Sequence, residues 1–316
     1  MDEARRTSRL LSWFNQRGWA KVTVATPYVW LLLFFLVPFV IVVAMSVATR
    51  TPTAPPFGYG GENPVINWEN YQRLFTDTLY IRAYFSSIVN AGIATVFCLL
   101  IGYPMALGLT RVGKRWRNVL LMLVILPFWT SFLLRVYAWM GLMGSNSWFN
   151  RLLTSWWNAL VPESMELRAI QMMNTDFAVV LVMVYSYLPF MILPLFANLE
   201  KLDPALDEAA MDLGSRPFQV FWDVTLPQSW PGIVAGGLLV FIPASGELII
   251  PTLVGNAGQP MIGRVISDEF SAARDWPMAS AVAVALLMLL VVPIMVYTYL
   301  EGRASREAEA RERGRP

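Results

Sequence analysis

Histidine does not occur once among the 316 residues. Its absence removes Ser-His-Asp and Cys-His constellations, imidazole metal clusters and histidine proton shuttles. The single cysteine, Cys98, has no second thiol in the chain, which excludes an internal disulfide framework and a cysteine zinc site. Lysine is nearly missing too. Lys21, Lys114 and Lys201 are the only three, and none sits in the G-x-x-x-x-G-K-[ST] setting of a phosphate-binding loop. Charged residues make up 15% of the chain, against about 25% in soluble domains. The net charge of +2 is too balanced to suggest a nucleic-acid partner. Chemistry carried by carboxylates, or transport, remains open.

What the sequence has in abundance is apolar residues, 56% of the total, and they fall in blocks. Six blocks are long enough to cross a hydrocarbon core of about 30 Å at 1.5 Å per residue: 27–48, 84–110, 119–144, 177–199, 232–254 and 278–300. Across all six only Arg135 and Glu247 are charged, so none shows the polar face of a soluble core helix. Backbone in lipid must satisfy its own hydrogen bonds, so spans of this length are expected to be helices. The first block is too long for a signal peptide and lacks a small-x-small cleavage site before Arg50. Placing the N-terminus inside puts 16 basic residues on inner segments and 7 on outer ones. The short run Arg111, Lys114, Arg115, Arg117 is the strongest part of that bias. The fold class expected is therefore an all-α integral membrane protein with six transmembrane helices and both termini cytoplasmic.

The domain reading is a tail over 1–26, a membrane domain over 27–300 and a second tail over 301–316. Residues 8–20 set Leu10, Leu11, Trp13, Phe14 and Trp19 among basic residues, a pattern suited to a helix on the inner membrane surface or to a frayed tail. The proline- and glycine-rich stretch 49–64 reads as an outer loop with little regular structure. Residues 147–160, rich in tryptophan and leucine, read as an interfacial helix on the outer face.

One inner segment breaks the charge bias. Residues 200–231 carry six acids against two basic residues. Asp203-Pro204 is an N-cap followed by proline at the first helical position. Leu202, Leu206, Ala209, Ala210 and Leu213 recur at helical spacing, and Gly214 stands where a C-cap glycine belongs. Pro217 opens a second short helix, which Pro227 and Pro231 are expected to stop. The expected result is helix, glycine turn, helix, with an apolar stripe too short to form a core of its own.

The string Glu208-Ala209-Ala210, three residues, Gly214, nine residues, Val224, one residue, Leu226-Pro227 resembles the EAA loop of ABC-importer permeases, EAA-x3-G-x9-I-x-LP, departing only at Val224. Pro27-Tyr28-Val29-Trp30, Leu126-Pro127-Phe128-Trp129-Thr130-Ser131-Phe132, Arg135-Val136-Tyr137-Ala138-Trp139-Met140-Gly141, Met261-Ile262-Gly263-Arg264 and Asp275-Trp276-Pro277 are similar to the permease subunits of putrescine/spermidine importers. The resemblance covers nearly the whole chain apart from the two tails. It implies a type I importer permease in a bacterial inner membrane, a heterodimer with a second permease, two cytosolic ATPase subunits and an external solute-binding protein. The EAA helix would seat in a cleft of the ATPase, with Glu208, Ala209, Ala210, Gly214, Leu226 and Pro227 as the coupling residues. ATP and Mg would belong to the ATPase, and this chain would bind no cofactor or metal and catalyse nothing.

A charge in a span costs at least about 2.5–3.5 kcal/mol at the bilayer centre. Counted along straight helices, Arg135 and Glu247 lie roughly 24 and 22 Å from the inner ends of their spans, in the outer half. An ion pair, snorkelling to outer headgroups or a place in the path are all open for Arg135. Around Glu247, Pro243 removes a backbone donor and Gly246 lets the helix unwind, as broken helices do beside transported solutes. Gly232, Gly236 and Gly237 read as packing glycines. A polyamine needs carboxylates for its ammonium groups and aromatic faces for cation–π contact, worth about 0.5–2 kcal/mol each. Trp129, Tyr137, Trp139, Tyr185 and Tyr187 are the candidate faces, and Tyr185 and Tyr187 cannot point the same way on a regular helix. The alternatives are the same machine carrying another solute (a cationic amino-acid-like compound, ferric ion or an oxyanion) and an ion-coupled secondary transporter. The second would need no EAA loop and would usually carry more intramembrane ionisable groups.

Overall fold

The computed structural model describes residues 23–60, 66–162, 165, 167–291 and 294–295. The surface helix expected over 8–20 and the tail 301–316 lie outside the described residues. The chain divides into two compact units, Met1–Arg73 with Glu269–Met288, and Leu74–Asp268 with Leu289–Pro316.

In the first unit, α1 (Thr23–Ser46) is apolar on all sides, and only 6% of its most hydrophobic window is buried within the chain. A helix of that kind offers its surface to lipid or to another chain. Within the 49–64 stretch, residues 49–58 are more ordered than their composition suggests, because β1 (Thr49–Arg50) pairs antiparallel with β2 (Phe57–Gly58). At the start of α2 (Glu69–Thr76), the buried Asn70 amide donates to the carbonyls of Ser46 and Ala48, each at 3.0 Å. Asp275 is buried between Arg50 at 3.8 Å and Arg73 at 3.6 Å, and its carboxylate accepts from the Met278 N–H at the head of α13 (Trp276–Val291).

The core of the second unit is three mutually packed helices, α3 (Thr78–Arg111), α7 (Asp176–Leu199) and α10 (Trp230–Ser245). Close packing needs small residues, and glycine supplies them. A Cβ on Gly232 would lie 2.7 Å from the Asn198 Cβ, and one on Gly236 would lie 2.8 Å from the Met191 Sδ, so both glycines bring α10 against α7. Gly237 is turned elsewhere, with 3.9 Å to the nearest atom, Thr95 Cγ2. Cys98 is fully buried in this core and free of any disulfide.

Two of the expected spans are broken. The 119–144 block forms α4 (Lys114–Ile125), a 3-10 turn (Leu126–Trp129) and α5 (Phe132–Met143), followed by α6 (Trp148–Leu160). The limbs on either side of Thr130-Ser131 meet at 89°. Pro127 lacks the N–H that a continuing helix needs, and the backbone leaves helical geometry at Thr130 and Ser131. Depth counted along a straight helix therefore does not hold for Arg135, which lies beyond the break. The 232–254 block divides into α10 and α11 (Ile249–Val254), with Gly246, Glu247 and Leu248 between them. Three described helices, α1, α3 and α7, are long and apolar enough to cross a membrane singly.

Candidate functional site

The 200–231 segment is built much as its residues suggest. The Asp203 carboxylate accepts from Ala205 N–H at 3.0 Å and opens α8 (Pro204–Asp212). Gly214 ends it at φ +92°, left-handed backbone that favours glycine. A second helix, α9 (Pro217–Gln228), follows, with a π-helical turn at Phe221–Thr225. This second helix stops at Gln228, before the fifth apolar block, as its prolines suggest. α10 (Trp230–Ser245) starts anew beyond Ser229 at 64° to it, with Pro231 in its first turn, where a missing N–H leaves no bond unmade.

This segment is braced from inside the bundle. Thr225 Oγ1 donates to Asp207 at 3.3 Å, and Arg117 pairs with Glu200 at 2.8 Å. Tyr103 shares a hydrogen bond with Ser229 at 2.9 Å and packs edge-on against Phe221. Its outer surface is bare. Glu208 and Ala209 are exposed, Ala210 is half-buried, and Leu206, Met211, Leu213, Phe218 and Trp222 all present large apolar side chains to the outside. Leu213 is 89% exposed. Acids and large apolar side chains thus share one exposed surface.

The second cluster surrounds the break between α10 and α11. Glu247 is buried, and both of its carboxylate oxygens are engaged. Oε1 accepts from the N–H groups of Ile249 at 3.0 Å and Ile250 at 3.4 Å, and Oε2 accepts from the Tyr187 hydroxyl. Behind the break, α12 (Ile262–Ser271) presses its Gly263 so close that a Cβ there would lie 2.6 Å from the Glu247 carbonyl oxygen. The Ile262 N–H is taken up by the buried Ser87 hydroxyl of α3 at 2.7 Å. α7 and α11 thus engage the carboxylate, α12 packs on its backbone, and α3 holds α12.

The aromatic candidates separate. Tyr187 faces Glu247, whereas Tyr185 points elsewhere and packs edge-on against Trp139 at 5.5 Å. Trp129 and Tyr137 are exposed. Arg135 does not pair with Glu247. Its guanidinium lies 5.6 Å from the Phe128 ring and 5.7 Å from the Phe132 ring, and Nε and Nη1 are buried without a hydrogen-bond partner among the described residues. Sequence reasoning missed the braces Tyr103, Arg117 and Thr225 and the backing residues Ser87 and Gly263. Gly263 left a trace inside the Met261-Ile262-Gly263-Arg264 string and Arg117 one in the basic run 111–117, neither with its partner.

Tyr187→Phe would leave one carboxylate oxygen without its side-chain donor in a buried setting, a loss of about 1–3 kcal/mol. The expected result is a lower thermal unfolding midpoint in detergent. An unchanged midpoint would show that this bond adds nothing to stability.

Comparison with known proteins bears directly on this arrangement. The family model of the binding-protein-dependent transport system inner membrane component matches residues 98–306. The chain belongs to that family. This inner membrane component is 41% identical over 277 residues to the spermidine/putrescine transport system permease protein PotB of Haemophilus influenzae, covering 88% of this chain and 92% of that protein. It is 36% identical over 283 residues to PotB of Salmonella typhimurium, covering 90% and 94%. In fold it resembles a bacterial alginate ABC transporter crystallised with an alginate pentasaccharide-bound periplasmic protein, at TM-score 0.68 and 16% identity over 94% of this chain and 98% of that one. The family match spans both clusters, and it makes the chain a multi-pass component of the inner membrane.

Proposed function

We propose that this chain is the permease subunit of an ABC importer for a polyamine such as putrescine or spermidine. The observation that carries the reading is the 41% identity to a spermidine/putrescine permease across 88% of the chain. The membrane domain extends over 27–300 as six spans, with the tails 1–26 and 301–316 on the cytoplasmic side. A second permease completes the path, two cytosolic ATPase subunits drive it with ATP and Mg, and a periplasmic solute-binding protein delivers the cargo. This chain holds no cofactor of its own. The exposed surface around Glu208, Ala209 and Ala210, with Gly214 setting the turn and Leu226 and Pro227 leading into the span, is the ATPase seat. The acids and exposed apolar side chains of that surface support the assignment.

Glu247, with Trp129, Arg135, Tyr137, Trp139, Tyr185 and Tyr187 as further lining candidates, serves the cargo path. A buried carboxylate at a helix break suits an ammonium group that must leave water. The test is uptake of labelled putrescine and spermidine by cells expressing this chain with its cognate partners. ATP-dependent uptake is expected with all components, and uptake by this chain alone without ATP would refute the importer reading. Glu247→Gln is expected to cut that uptake at normal membrane levels, and unchanged uptake would remove Glu247 from the path.

A further inference from the structure

A cavity of about 510 Å³ lies between α3, α4 and α7, with Tyr185, one of the path candidates, on its wall. Gly108 and Val112 of the α3 end, Leu123 and Val124 of α4, and Tyr185 and Pro189 of α7 are among its walls. Every other lining residue is apolar too, and Tyr185 alone contributes a side-chain oxygen. Such a groove takes a hydrocarbon chain and has no use for a polyamine.

Its rim is the opposite in character. Val112, a wall of the groove, follows Arg111 directly and stands two residues before Lys114. The helix α4 begins Lys114-Arg115-Trp116-Arg117, with Gly113 at the N-cap, no side-chain cap and no acid in the first turn. Cations at a helix N-terminus face the positive end of the macrodipole and the uncapped N–H groups, an arrangement that is unfavourable until an anion arrives. Glu200 neutralises Arg117. Arg111, Lys114 and Arg115 are exposed and have no ion-pair partner among the described residues. Trp116 beside them is exposed, as expected of a side chain at headgroup level.

We propose that this groove is a binding site for an anionic phospholipid of the inner leaflet. An acyl chain fills the space between α3, α4 and α7, and the phosphate rests on Lys114, Arg115 and the first N–H groups of α4. An oily groove ending under unpaired basic residues matches both halves of such a lipid and neither half of a soluble anion. The site rests on the permease reading only for which end of the bundle faces the cytoplasm.

The test uses the complete complex, co-expressed with its second permease and ATPase subunits and held in nanodiscs of phosphatidylglycerol or of phosphatidylcholine. After detergent extraction, native mass spectrometry is expected to find phosphatidylglycerol retained in preference to phosphatidylcholine. The double variant Lys114→Gln/Arg115→Gln is expected to weaken that retention about 30-fold, from the combined attraction of two basic side chains to an anionic surface. Leu123→Trp fills the groove, leaves every charge in place and is expected to abolish retention with topology unchanged. Equal retention of the two lipids, or undiminished phosphatidylglycerol in Leu123→Trp, overturns the site and leaves the basic residues with membrane orientation alone. Lipid retained by a complex that takes up no polyamine would refute the cargo and support the lipid site. Uptake of polyamine by a complex without lipid preference would do the reverse.

Discussion

Glu208→Arg is expected to abolish uptake while the chain still inserts and folds. The Glu208 side chain is exposed on α8 and makes no hydrogen bond or ion pair among the described residues, so its replacement is expected to disturb a partner surface and little else. Placing a cation where a partner is complementary to an acid costs several kcal/mol, enough to reduce complex formation by a factor of about 100 or more. Co-purification of the ATPase, solute uptake and ATPase rate measured on the same preparation separate the possibilities. Lost uptake with the ATPase absent from the complex supports the seat. Normal uptake would defeat the coupling assignment. Gly214→Pro reaches the same loss by another route, since proline holds φ near −65° where the chain needs +92°. Its effect is therefore expected in the shape of the turn, and with it in the folding of the loop.

The second large effect is expected at Gly263. Valine there brings its Cβ within 2.6 Å of the Glu247 carbonyl oxygen and 2.9 Å of the Glu247 carbonyl carbon. These are backbone atoms and cannot turn aside as a flexible side chain would. Overpacking a tight interior typically costs about 1–3 kcal/mol, and a clash with backbone stands at the upper end. Gly263→Val is expected to displace the α10–α11 break, lower the unfolding midpoint and eliminate uptake. Gly237→Ala is the control, because its Cβ meets nothing closer than 3.9 Å. Full activity in Gly263→Val would show that α12 does not hold the break in place.

How far the structure was legible beforehand depended on whether the cause was local. Asp203, Pro204 and Gly214 act within one turn of themselves, and helix, cap and left-handed turn stand where those residues put them. Gly246 beside Pro243 likewise marks the interruption before Glu247. Gly232 and Gly236, four residues apart, announced a close helix contact without saying with which helix. The errors came from elsewhere. The break at Thr130-Ser131 was hidden in a block whose hydropathy runs on without a pause. The tie between Tyr187 and Glu247 spans 60 residues, and that between Ser87 and Ile262 spans 175, distances over which no periodicity carries information.

The way Glu247 is held has a consequence for any cation that reaches it. Oε1 is the acceptor for the first N–H groups of α11, so the carboxylate serves as the cap of that helix as well as the charge at the break. A passing ammonium that draws this oxygen toward itself strips the cap and leaves two backbone donors facing nothing. The arrival of charge would then loosen the backbone, and its departure would let the helix close again, so that recognition and shape change at this point of the bundle would be one event.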